Sequence, residues 1–142
     1  MMSVRTSYAR AARSTARKRA HRHTPDEACR EILDSAARFL RKRYFRDLTV
    51  GEVMAGTTLS RPAFYQYFTD VHDLIVSLLR EIENVMHETA SPWILGEGEP
   101  IAALRESNRG VVETCVEHGP IIRAIVEAAP LDERLEQAWN SF

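Results

Sequence analysis

Ser60-Arg61-Pro62-Ala63-Phe64-Tyr65-Gln66-Tyr67-Phe68 gathers a guanidinium, a carboxamide and two phenols into one short stretch. An Arg can form two parallel hydrogen bonds to a guanine edge, and a Gln can do the same with adenine. Phenol and hydroxyl groups bond phosphate oxygens, which fix register without reading sequence. At helical spacing Ser60, Phe64 and Phe68 share one face, while Arg61, Pro62, Tyr65 and Gln66 point elsewhere and Tyr67 sits at the edge. A short helix with a buried Phe pair and an outward polar face suits the major groove of DNA. Other chemistry is sparse. Cys115-x-x-His118 holds two metal-ligand types, but no second pair has matching spacing. His21 and His23 read as solvated. No nucleophile stands beside a base, and there is no phosphate-binding glycine loop. The expectation is a non-enzyme with no cofactor and no metal.

The elements that must position this stretch are readable as helices. Thr49 caps a short helix whose apolar side is Val50, Val53 and Met54, and Ala55-Gly56-Thr57-Thr58 breaks it. Ser60 is the expected cap of the next helix, with Pro62 in its first turn. Upstream, Thr24-Pro25-Asp26-Glu27 opens a helix with a core stripe of Ala28, Ile32, Ala36, Phe39 and Leu40, ended by Arg41-Lys42-Arg43. Asp70 caps a long helix to about Ala90, with Leu74, Ile75, Leu78, Leu79, Ile82, Val85 and Met86 as its apolar side. Ser91-Pro92 is its expected stop. A further helix spans about 101–118, Gly119-Pro120 breaks it, another runs to Ala129, and Asp132 opens the last.

Composition sets the bounds. The chain has 142 residues and a net charge of −1, but the charge is unevenly placed. Residues 1–25 carry seven basic side chains and no acid. Residues 1–74 hold 14 basic and 8 acidic groups, and residues 75–142 hold 5 and 12. A positive half with the helix-turn-helix and a negative half behind it fit a DNA-facing head and a solvent-facing body. No apolar run is long enough to span a membrane. Cys29 and Cys115 are far apart and read as small buried hydrophobes in a reduced, cytoplasmic setting.

The head resembles the TetR family of transcriptional regulators. The resemblance rests on Thr49, Val50, Val53, Ser60, Arg61, Phe64, Tyr65, Tyr67, Phe68 and Leu74, and covers roughly residues 25–90. Within that family it looks most like the branch of EthR-type repressors. Two positions depart from the pattern. Thr58 stands in the turn where the family has a Gly, whose tolerance of positive φ suits a bend, so Gly56 is expected to take over the bend. Val71 stands where the family has a phosphate-binding Lys.

The resemblance implies an all-α fold: a disordered basic tail over residues 1–23, a helix-turn-helix head over 24–69, and an incomplete ligand-binding body over 70–142. It implies sequence-specific binding of double-stranded DNA, as a repressor released by a small apolar effector held in the body, and a homodimer. Arg61, Pro62, Ala63 and Gln66 would meet base edges, and Thr49, Tyr65 and Tyr67 would meet phosphates. Phe64, Phe68, Val53 and Phe39 would be core. The family's last two helices, which form its dimer interface, have no counterpart here, so Leu135, Trp139 and Phe142 are expected to be exposed. The alternative is a short interaction protein of the same fold with weak or no specific DNA binding, which Thr58 and Val71 favour. The basic tail yields a first prediction. Deleting residues 1–23 should make the slope of log K against log salt shallower, by ~0.9 for each phosphate that the tail neutralises. An unchanged slope would show that the tail does not touch DNA.

Overall fold

The computed structural model describes residues 23–142. Among them the regular elements are all helical and no strand occurs, so the fold is all-α. Apart from His23, the tail expected over 1–23 lies outside the described residues. No helix among the described residues is long and apolar enough to cross a membrane.

Helix α1 (Pro25–Leu40) starts as its sequence suggests. The Thr24 hydroxyl accepts from the Glu27 N–H at 3.2 Å, and the Glu27 carboxylate accepts from the Thr24 N–H at 2.8 Å. Its inner face is Ala28, Ile32, Leu33, Ala36 and Leu40. Phe39 is only partly buried at the edge of the core, with the Arg43 guanidinium 5.0 Å over its ring. A short 3-10 turn (Phe45–Asp47) leads to helix α2 (Val50–Ala55), capped by the Thr49 hydroxyl.

Helix α3 (Val71–Ile94) is the spine. The Asp70 carboxylate caps it by accepting from the Asp73 N–H at 2.9 Å. Leu74, Ile75, Val76, Leu78 and Leu79 are all buried, so this first half is apolar on several sides. Its neighbours there are α1, helix α5 (Gly119–Ala128) and helix α6 (Glu133–Ser141). Beyond Ile82 the burial lapses, and Val85, expected in the core, is 43% exposed. The second half of α3 presents only one side to a neighbour, helix α4 (Pro100–Glu117).

The expected stop at Ser91-Pro92 is not where α3 ends. The helix runs through Pro92 to Ile94. Pro92 removes one N–H donor, but it is exposed and lies in the last turn, where carbonyls can turn to water. Gly96 and Gly98, at φ 69° and 77°, then make the turn into α4, a conformation that favours glycine.

The core is one cluster running from α1 through Val53, Phe64 and α3 to Ile125 and Leu135, continuous across residues 69 and 70. Two polar ties fasten the later helices, one to the link after α1 and one to the cap of α3. From α5, Arg123 donates to the carbonyls of Leu40 (3.2 Å) and Arg43 (3.4 Å), and the Glu127 carboxylate accepts from the Phe45 N–H. From α6, Arg134 donates to Asp70 Oδ2 at 2.9 Å and grips Asp132 with two bonds, at 2.7 and 3.0 Å. This folds α6 back on α3, so Leu135, expected to be exposed, is fully buried. That burial is worth about 2 kcal/mol. Trp139 is partly buried and stacks on Phe142, which remains 39% exposed.

The Arg134 tie carries a pH dependence. Arg134's hydrogen bonds hold the Asp132 carboxyl down at about 2, from an ordinary 3.8. Burial pushes Asp70 up, but the Asp73 N–H and Arg134 outweigh it and leave its pKa lowered. A carboxylate with a depressed folded-state pKa stabilises the fold above its ordinary value, and that contribution is lost as pH falls through the folded value. Thermal melts should therefore show the Tm falling from roughly pH 4 to pH 2, and Asp132→Asn should flatten that fall. Equal pH profiles for the two proteins would remove Asp132 from the account.

Candidate nucleic-acid interface

The outward face depends on how α1 grips the turn after α2. Glu31, Ser35 and Arg38 lie at i, i+4 and i+7 along one edge of α1. The buried Ser35 hydroxyl donates to the Val53 carbonyl at 2.6 Å. Arg38 donates to the Gly56 carbonyl at 3.0 Å. Glu31 accepts from the N–H of Thr58 and, at 3.1 Å, from its hydroxyl. His23 Nε2 lies 3.0 Å from the same hydroxyl and 3.6 Å from Glu31. The backbone hydrogen bond from Thr58 lowers the Glu31 pKa, with further lowering from the Thr58 hydroxyl and His23.

The turn needs no left-handed residue. Among the described residues no non-glycine has positive φ, and Gly56 itself is at φ −88°. The expectation that Gly56 replaces a positive-φ glycine is therefore corrected. Gly56 is required for closeness instead, because a Cβ there would collide with the Ser35 hydroxyl. Thr58 fits without strain and serves as the anchor for Glu31.

The segment Arg61–Gln66 forms a 3-10 helix, not the expected α-helix. Ser60 occupies the cap position but makes no side-chain cap bond, and it is exposed. The reason is local. A capping hydroxyl normally accepts from the second or third helical N–H. Here the second residue is Pro62, which has none, and the third, Ala63, already donates to the Ser60 carbonyl at 2.9 Å. With 3-10 spacing Ser60 also no longer shares a face with Phe64.

Phe64 is fully buried and Phe68 nearly so, with ring centroids 5.5 Å apart. They pin the segment from below. Arg61, Pro62, Tyr65 and Gln66 are exposed, and Tyr65 is edge-on to Phe64 at 5.4 Å. Ala63 and Tyr67 are half-buried against the core. Thr49 is exposed, its hydroxyl occupied as acceptor by the Glu52 N–H at 3.2 Å. Val71, the first residue of α3, is partly buried and packs on the core. Thus four of the seven candidate contact residues, Arg61, Pro62, Tyr65 and Gln66, are exposed on this segment, Thr49 is exposed at the start of α2, and Ala63 and Tyr67 are set deeper. No protein-family model and no curated protein matches the chain.

The α1 clamp is not part of any motif in the sequence, although the spacing of Glu31, Ser35 and Arg38 on one helix edge is visible there. The pair Cys115 and His118 stands at the end of α4. Cys115 is exposed, against the expectation of a small buried hydrophobe. Among the described residues no group of three or more His, Cys, Asp or Glu is arranged to hold a metal.

The clamp predicts a coupled pair of substitutions. Ser35→Ala removes one of two donors to the Val53 carbonyl, which keeps the Gly56 N–H at 3.1 Å, and should cost about 0.5–1.5 kcal/mol. Gly56→Ala should cost about 1–3 kcal/mol by overpacking. Because the clash is with the hydroxyl that Ser35→Ala removes, the double variant should be more stable than the sum of the single effects. Strict additivity in urea melts would show that the two positions do not touch.

Proposed function

We propose that this chain is a TetR-like, sequence-specific DNA-binding regulator acting in the cytoplasm. Its recognition surface is Arg61, Pro62, Tyr65 and Gln66, with Ala63 at the margin. The observation that carries this reading is the orientation of the 61–68 segment. Its two Phe rings are buried, while Arg61 is exposed and makes no hydrogen bond or ion pair among the described residues. An exposed guanidinium is equipped to bond a guanine edge, and an exposed carboxamide an adenine edge. Thr49, Tyr65 and Tyr67 supply hydroxyls for phosphates on either side. By the same resemblance the protein is a repressor, relieved by a small apolar effector in the body.

The reading as an interaction protein with weak or no specific DNA binding has an observation of its own. A six-residue 3-10 segment spans only about 12 Å, and Val71 offers a phosphate nothing.

Selection on random duplexes separates the two. Arg61→Ala should weaken cognate binding by ~1–3 kcal/mol and relax base preference at one position per half-site. Tyr67→Phe should lower affinity for cognate and random DNA alike, as expected of a phosphate contact. An unchanged consensus for Arg61→Ala defeats the assignment of that residue. Failure of the wild type to enrich any sequence favours the interaction protein.

A further inference from the structure

One cavity lies against α1, where α3 and the junction of α4 with α5 meet it. It holds about 160 Å³, the size class that admits a benzene-sized molecule. Its floor is apolar: Leu33 from α1, Leu78 and Ile82 from α3, and Ile121 from α5 are all buried. Its rim is charged. Arg30 and Glu81 close one end with an ion pair at 2.9 Å that joins α1 to α3. Asp34 and Arg41 follow along the same edge of α1, one and three turns beyond Arg30. Both are exposed, and neither side chain has a hydrogen bond or ion pair among the described residues. His118, which ends α4 and opens α5, also lines the cavity. Its Nδ1 is buried and has no hydrogen-bond partner among the described residues. Buried polar atoms are normally satisfied, so this one marks where a polar group of an occupant would sit. His118 shares a second, more open depression with Arg30 and Glu81, which places it toward their end of the rim.

We propose that this cavity binds a small α-amino acid with an aliphatic side chain, of valine or leucine size. Apolar walls with a few convergent polar groups are the usual makeup of a small-molecule site. The two unpaired rim charges choose the ligand. A purely anionic ligand brings its charge up to Asp34, and a purely cationic one up to Arg41, like against like. A zwitterion answers both. Its ammonium donates to Asp34 and to His118 Nδ1, toward the Arg30 end, and its carboxylate accepts from Arg41 at the other end. Asp34 and Arg41 are two turns apart, about 10 Å along the axis, and an arginine arm is long enough to reach back over part of that distance. The aliphatic group lies on the floor of Leu33, Leu78, Ile82 and Ile121.

So small a ligand binds modestly, with a Kd of ~0.1–1 mM. No residue of the 61–68 segment lines the cavity, and the test reads ligand binding alone, so the site stands or falls apart from the DNA reading.

Isothermal titration calorimetry of the full chain with L-valine and L-leucine should show saturable binding of at least one of them. Isoamylamine and isocaproate, which are leucine without its carboxylate and without its amine, should bind about tenfold more weakly or worse. Asp34→Asn and Arg41→Gln, at exposed positions, should each weaken amino-acid binding about tenfold or more, with the helical circular dichroism unchanged. They should also part in preference: Asp34→Asn should bind isocaproate better than the wild type does, and Arg41→Gln should bind isoamylamine better. His118→Leu should weaken binding, and His118→Asn, which keeps a polar atom near the place of Nδ1, should recover it. No binding of either amino acid overturns the proposal. Leucine bound no better than one of its single-charge relatives overturns the zwitterion. Affinity untouched by Asp34→Asn and Arg41→Gln removes the ligand from this cavity, and affinity untouched by His118→Leu removes Nδ1 from the contacts.

Discussion

The hydrogen bond from the buried Ser35 hydroxyl to the Val53 carbonyl sets the distance between α1 and α2. Buried polar groups must be paired, so this bond is demanding as well as stabilising. It brings α1 so close to the following turn that position 56 has no room for a Cβ. Arg38 and Glu31 extend the same edge to Gly56 and Thr58. With the turn held at three points, the chain re-enters at Ser60 with Phe64 aimed into the core. The exposure of Arg61, Tyr65 and Gln66 follows from that aim.

The later helices act on the same frame. Arg123 and Glu127 of α5 hold the link between α1 and α2 through its backbone, and Arg134 of α6 holds the cap of α3. These groups are largely solvent-exposed, where ion pairs contribute little stability. Their role is positional: the apolar cluster from Ile32 to Leu135 supplies the cohesion, and the polar ties choose where α5 and α6 sit upon it.

Helix α4 stands apart from this arrangement. Close packing through small side chains lets its backbone approach α3, while Ile101, Val112 and Val116 are left in water.

Much was legible in the sequence because the signals were local. The cap of α1 at Thr24, those at Thr49, Asp70 and Asp132, and the buried Phe64 and Phe68 follow from residue type and spacing, which act within one or two turns. Other features depended on what the chain meets elsewhere. The 3-10 form of Arg61–Gln66 arose from a contest over one N–H that the Ser60 carbonyl won over the Ser60 hydroxyl. Pro92 failed to stop α3, because in an exposed last turn the missing donor matters little. Leu135 is buried because α6 turns back on α3, while Val85 and Cys115 are left exposed. Residue type and periodicity determined where helices start and which stripe is apolar. Only the tertiary structure decided which stripe found a neighbour, since burial is a property of two surfaces and a sequence displays one of them at a time.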